Sequence, residues 1–208
     1  EAMLKDEGIK NKQKVWCVLM YYNDQTEVFF RNPIIAAVRD SKFLQEAINS
    51  EATSIFLLTG SLLNIDAIVN FCKERHKFVF IHTDLVEGLG NDYGGIKYIA
   101  ERVKPDGIIS TRNNVIKIAK EFGIYTIQRY FFVDSMAIHT GIKSIEQNNP
   151  DAVEILPGVI PRAVKQIVAH VRKPVITGGM VAFKEDVLAS LQSGAVAVST
   201  SCLKLWNE

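Results

Sequence analysis

From residue 33 onward the chain alternates two hydrophobic rhythms. Short runs rich in Val, Ile and Phe give way to longer segments in which apolar residues return every three or four positions, the signature of repeated βα units and a parallel sheet. Eight units can be counted, with strands predicted at Ile34 to Val38, Ser54 to Leu58, Phe78 to Thr83, Gly107 to Ser110, Tyr125 to Arg129, Ala152 to Leu156, Pro174 to Thr177 and Ala195 to Thr200. Among the helices, Leu62 to Arg75 carries Ile65, Ile68, Val69 and Cys72 on one stripe, the spacing of a face that packs inward. Asn113 before Val115 to Phe122, Asp134 before Met136 to Gln147, and a glycine turn before Phe183 to Gln192 read as helix starts. Gly123 and Gly194 read as helix ends, because glycine takes the left-handed conformation that closes a helix at little cost.

Eight parallel strands can close into a barrel or lie open in a doubly wound sheet. An open sheet usually carries its glycine-rich phosphate loop after the first strand, and here that stretch is Val38-Arg-Asp-Ser, without glycine. The glycines and hydroxyls come at units seven and eight, where barrels place phosphate. The expected fold is therefore α/β, a single (β/α)8 TIM-type barrel over residues 33–208, preceded by an extension over residues 1–32. In that extension Val15 to Tyr22 and Glu27 to Phe30 flank an Asn23-Asp24 turn signal, which predicts a β-hairpin. It could cover the barrel's bottom or pair with another subunit, making a homo-oligomer.

Composition changes this picture little. A 48% hydrophobic, 23% charged chain of 208 residues with net charge +1 is ordinary for a globular domain, and no run approaches the ~18 apolar residues of a bilayer span. A cytoplasmic protein without membrane contact is expected. Cys17, Cys72 and Cys202 are too widely spaced for a disulfide framework or a metal site. With no global positive charge, any nucleic-acid contact must come from a local patch. One candidate is the sixth-helix region, where Arg162, Lys165, Arg172 and Lys173 occur with no acid among them; a solvated outer helix face of the barrel is the favoured reading.

The strongest chemical signal is Pro174-Val-Ile-Thr-Gly-Gly followed by Ala195-Val-Ala-Val-Ser-Thr-Ser-Cys. The loops after strands seven and eight of a barrel meet at one side of its mouth, and glycines there let backbone N–H groups approach a phosphate. Gly178, Gly179, Thr200 and Ser201, with Ser199 beside them, fit that role. The glycines could instead serve a turn and the hydroxyls a cap. Around the same mouth the strand ends carry Arg39, His82 with Asp84, Arg112, Gln128, Arg129 and Glu154, a set suited to a small polyol bearing an anionic group. His82 beside a carboxylate could also serve as acid and base. No strand ends in the lysine that a Schiff-base enzyme needs, and His76, His139 and His170 fall away from His82, so neither aldolase chemistry nor a metal centre is expected.

These stretches also carry a family resemblance. Pro33-Ile-Ile-Ala-Ala-Val-Arg, His82-Thr-Asp-Leu-Val-Glu-Gly, Lys104-Pro-Asp-Gly-Ile-Ile-Ser-Thr-Arg, Gly123-Ile-Tyr-Thr-Ile-Gln-Arg, Val153-Glu-Ile-Leu-Pro-Gly and the Thr177-Gly-Gly to Trp206 segment run in order over residues 33–206. In them the chain resembles the glycerol uptake operon antiterminator regulatory proteins, which are glycerol-3-phosphate responsive. The resemblance implies a regulator without turnover or cofactor. Its effector would be glycerol 3-phosphate and its partner the leader mRNA of glycerol-metabolism genes. It also implies that His82, Asp84, Arg112, Gln128, Arg129 and Glu154 surround the polyol, with Gly178, Gly179, Thr200 and Ser201 at the phosphate. An enzyme acting on a small phosphorylated substrate is the alternative.

Overall fold

The structure, a computed structural model, describes Phe29 and residues 32–208. Eight parallel strands, β1 (Ile34–Val38), β2 (Ser54–Leu57), β3 (Phe78–His82), β4 (Gly107–Ser110), β5 (Tyr125–Phe131), β6 (Ala152–Leu156), β7 (Val175–Gly178) and β8 (Ala197–Thr200), pair in sequence order, and β8 pairs back onto β1 to close the barrel. The connecting helices are α1 (Leu44–Asn49), α2 (Ile65–Lys73), α3 (Tyr93–Tyr98), α4 (Asn113–Glu121), α5 (Ser135–Asn148), α6 (Pro161–His170) and α7 (Lys184–Gln192). After β8 a 3-10 turn, Leu203–Asn207, stands in the eighth helix position; Trp206 is buried there and its Nε1 donates to the Thr200 carbonyl at 2.8 Å. None of the described helices is long and apolar enough to cross a membrane.

Strand limits differ from expectation in an instructive way at β5. It runs two residues further because Phe131 still pairs with Leu156 on β6. Helix starts differ at α4. Asn113 lies inside the first turn, not ahead of it, because its Oδ1 accepts from Gln128 Nε2 at 2.7 Å; Arg112 is the boundary residue and caps nothing with its side chain. Asp134 does cap α5, accepting from the Ala137 N–H at 2.7 Å. Gly123 and Gly194 take positive φ, +69° and +100°, at the ends of α4 and α7.

Successive strand residues point to opposite faces. One face of each strand supplies the barrel interior: Ile35 and Ala37, Phe56, Phe80, Ile109, Tyr125 and Ile127, Ala152, Ile176 and Ala197. The other face, with Ile55, Ile81, Ile108, Val153 and Val175 among it, packs under the helices. The hairpin expected in residues 1–32 lies outside the described residues, but Phe29 from that segment is fully buried. Its ring sits 5.3 Å from that of Phe80 and 6.5 Å from that of Tyr125, at the strand-start end of the interior. Phe29 therefore plugs the end of the barrel opposite the mouth. Phe29→Ala should lower the unfolding free energy by about 3–4 kcal/mol, as expected for a large aromatic removed from a closed core, measured by urea titration of the full chain.

Candidate functional site

The inward rhythm of two carries straight into the mouth. Two residues beyond Phe80, Ile127, Ala152, Ile176 and Ala197 come His82, Arg129, Glu154, Gly178 and Ser199. The interior is apolar below and polar above. Arg129 Nε donates to Glu154 Oε2 at 2.5 Å, and Ser199 Oγ donates to Glu154 Oε1 at 2.6 Å. Glu154 is fully buried and Arg129 nearly so. A buried ion pair of this kind offsets its own desolvation only when geometry is close and the remaining lone pairs are bonded, and here both carboxylate oxygens have a donor. A Cβ at Gly178 would collide with Ser199 Oγ and come within 2.9 Å of Glu154 Oε1. Glycine is needed at 178 to leave room for this buried chain of contacts.

Above the pair lies a cavity of about 420 Å3. Its polar lining comes from Arg39, Arg129, Glu154, Ser199, Thr200 and Ser201, and its apolar wall from residues such as Leu58, Leu85, Phe131, Leu156 and Met180. Among the described residues no acceptor meets the terminal guanidinium nitrogens of Arg129, and none accepts from the backbone N–H of Gly179, Met180 or Ser201. Gly179 and Met180 both take positive φ, +75° and +62°. For Met180 that conformation is uncommon, and such strain tends to concentrate at functional loops.

Other sequence candidates are placed differently. Gln128 is one residue out of phase with Ile127 and Arg129, so it faces the helices. It donates to Asn113 and accepts from Asn148 Nδ2 at 3.2 Å, away from the mouth. Asp84 lies beyond the end of β3, and its carboxylate clamps the loop after β4, accepting from Ser110 Oγ, the Thr111 N–H and Thr111 Oγ1 at 2.6–2.8 Å. Arg112 is exposed on that rim, its Nε 3.8 Å from Asp84 Oδ1. Neither lines the cavity. The Thr200 hydroxyl donates to the Val181 carbonyl at 2.8 Å and accepts from the Cys202 N–H at 3.0 Å, so it ties the loops after β7 and β8 together. The four basic residues of the sixth unit are spread along α6 and past its end. Arg162 and Lys165 are exposed on α6, whereas Arg172 and Lys173 lie past its far end, roughly 15 Å along the axis at 1.5 Å per residue. Burial and the neighbouring Lys120 lower the pKa of Lys173. Phe131 and Met180 were not picked out from the sequence; counting by twos from Ile127 would have found Phe131, while Met180 carries no local signal.

His82 is buried beside this site, and its Nδ1 has no partner among the described residues. Burial, then the Arg129 charge, push its pKa down to about 4, against the pull of Asp84. For Asp84 burial acts upward, but the bonds from Ser110 and Thr111 together outweigh it and the carboxyl ends below its ordinary value. His82 is thus a neutral imidazole at neutral pH.

The family described as glycerol-3-phosphate responsive antiterminator matches residues 34–206. The chain belongs to that family. It is 40% identical over 177 residues to the uncharacterized protein YgcP of Escherichia coli (strain K12), covering 85% of this chain and 93% of that one. The crystal structure of the glycerol uptake operon antiterminator regulatory protein from Listeria monocytogenes str. 4b F2365 is similar at 37% identity, TM-score 0.81, covering 84% of this chain and 95% of that one. A glycerol uptake operon antiterminator-related protein from Thermotoga maritima is similar at 34% identity, TM-score 0.74, covering 83% and 96%. These relatives match over most of their own length, and the solved ones share the barrel fold.

Two outcomes follow from the buried groups. Glu154→Leu alone leaves the Arg129 charge unpaired and should cost about 3–5 kcal/mol in urea titration, while Glu154→Leu with Arg129→Met should recover most of that. For His82, with 6.5 as its ordinary value and about 4 in the fold, the unfolded chain binds the extra proton between these limits. Stability should therefore be full above pH 6.5 and fall as pH drops towards 4, and His82→Asn should remove that part of the slope.

Proposed function

We propose that this chain is a regulator that takes up glycerol 3-phosphate in the barrel mouth and, when loaded, binds leader mRNA of glycerol-metabolism genes to prevent premature termination. The observation that carries the ligand half is the cavity itself. Arg39 and the unpaired end of Arg129 supply positive charge, and the free amides of Gly179, Met180 and Ser201 supply donors on the side where barrels hold phosphate. The phosphate rests against the loops after β7 and β8, and the polyol hydroxyls face Glu154, Ser199 and Arg129. The volume lies within the range of small-molecule sites. Family membership supports the regulatory half, and the response to ligand requires that the RNA-competent conformation bind it more tightly than the other.

A second reading, a barrel enzyme acting on a small phosphorylated substrate, is favoured by one observation: a neutral, buried His82 with a free Nδ1 next to Arg129. Calorimetry with glycerol 3-phosphate should show one site per chain, with affinity reduced at least tenfold by Arg39→Ala. Gel shift with leader RNA should tighten at saturating ligand. Unchanged RNA affinity would remove the regulatory reading, and turnover of triose or polyol phosphates abolished by His82→Ala would replace it with the enzyme.

A further inference from the structure

The loops of units five to seven expose a set of large apolar side chains. Phe131 at the end of β5, Val133 after it, Met136 at the start of α5, Ile160 before α6, and Met180 and Phe183 after β7 are between 44% and 85% exposed. These units are neighbours in the barrel, so the six residues lie on adjacent loops at its mouth. Bare side chains of this size present roughly 150–200 Å2 each, so together they expose on the order of 700 Å2, near the ~800 Å2 that each partner contributes to a stable interface. The largest apolar patch on an ordinary monomer is roughly 300–600 Å2. A surface this apolar is expected to be covered.

We propose that a second copy of this chain covers it, and that the contact lies over the cavity mouth. RNA fits this rim poorly. None of the six residues is basic, the acidic Asp134 and Glu185 flank them, and Lys184 is engaged by Glu208. Phosphate backbones need cations. A second copy fits better, because the rim carries exposed Arg162 in unit six and exposed Asp134 and Glu185 in units five and seven. A two-fold contact pairs each patch with itself, so the acids of one copy can face the arginine of the other. Phe131 and Met180 belong both to this rim and to the cavity wall. Covering them closes the mouth, so occupancy of the cavity and association of two copies are linked, and each must change the other's affinity by the same factor.

Association is measured on the full chain without ligand, and so stands apart from the ligand reading on which the linkage rests. Sedimentation equilibrium in the micromolar range should show a dimer. Val133→Glu and Met136→Glu, both outside the cavity wall, should weaken it at least tenfold while leaving the circular dichroism spectrum and melting profile of the monomer intact. A chain that stays monomeric overturns the proposal, as does a dimer indifferent to both substitutions. A monomer whose RNA affinity falls with Phe183→Asp would assign the rim to RNA and overturn it as well. Saturating glycerol 3-phosphate should shift the dimer constant about fivefold or more. If calorimetry shows the ligand bound and the constant does not move, the contact is not over the mouth; if the ligand does not bind, the ligand reading fails and the dimer result stands.

Discussion

Closing eight parallel strands turns every second residue towards a single axis, and that constraint organises the rest of the molecule. Below the mouth the inward positions are Phe, Ile, Tyr and Ala, packed around Phe29. One step of two higher on β3, β5, β6, β7 and β8 they become His82, Arg129, Glu154, Gly178 and Ser199. An apolar floor thus supports a polar ceiling within one layer of side chains. Because the floor is close-packed, the polar layer cannot sink, and its charges must satisfy one another or a ligand.

The electrostatics follow from that placement. Glu154 accepts from Arg129 on one oxygen and from Ser199 on the other, which links units five, six and eight across the top of the barrel. Unit seven, between six and eight, contributes no side chain at this level, and Gly178 makes the crossing possible. Arg129 uses one nitrogen for Glu154 and turns the remainder to the cavity. The same charge helps keep His82 neutral. Preorganised donors in a partly desolvated pocket favour an anionic ligand more than the same groups would in water. Asp84, by contrast, is engaged by the loop after β4, so its charge stabilises the rim.

Outside the cavity, polar contacts and exposed apolar side chains share the rim. The loops of units three and four are held by polar contacts, Asp84 to Ser110 and Thr111 and Asn114 to the Asn91 carbonyl. The loops of units five to seven expose apolar side chains. Loops carry function because a rigid scaffold holds them while their own residues remain free to vary. Of the basic residues of the sixth unit, Arg162 and Lys165 sit one turn apart at the start of α6, while Arg172 and Lys173 lie beyond its other end.

The alternation of strand-like and helix-like rhythms determined the eight βα units, since each unit must bury both faces of its strand and one stripe of its helix, and the place of the glycines at units seven and eight pointed to the barrel. The alternation also located the glycine and hydroxyl loops of units seven and eight and the pair Arg129 and Glu154, because strand ends are legible locally. Which neighbours face inward was decided by phase. Gln128 and Arg129 are adjacent, so only one could enter the mouth, and the register of β5 against β4 and β6 chose Arg129. Closure brought Ser199 to Glu154 across 45 residues and left Phe131 and Met180 at one cavity wall. Those are distances between strands, and a one-dimensional pattern holds no information about them until the sheet has closed.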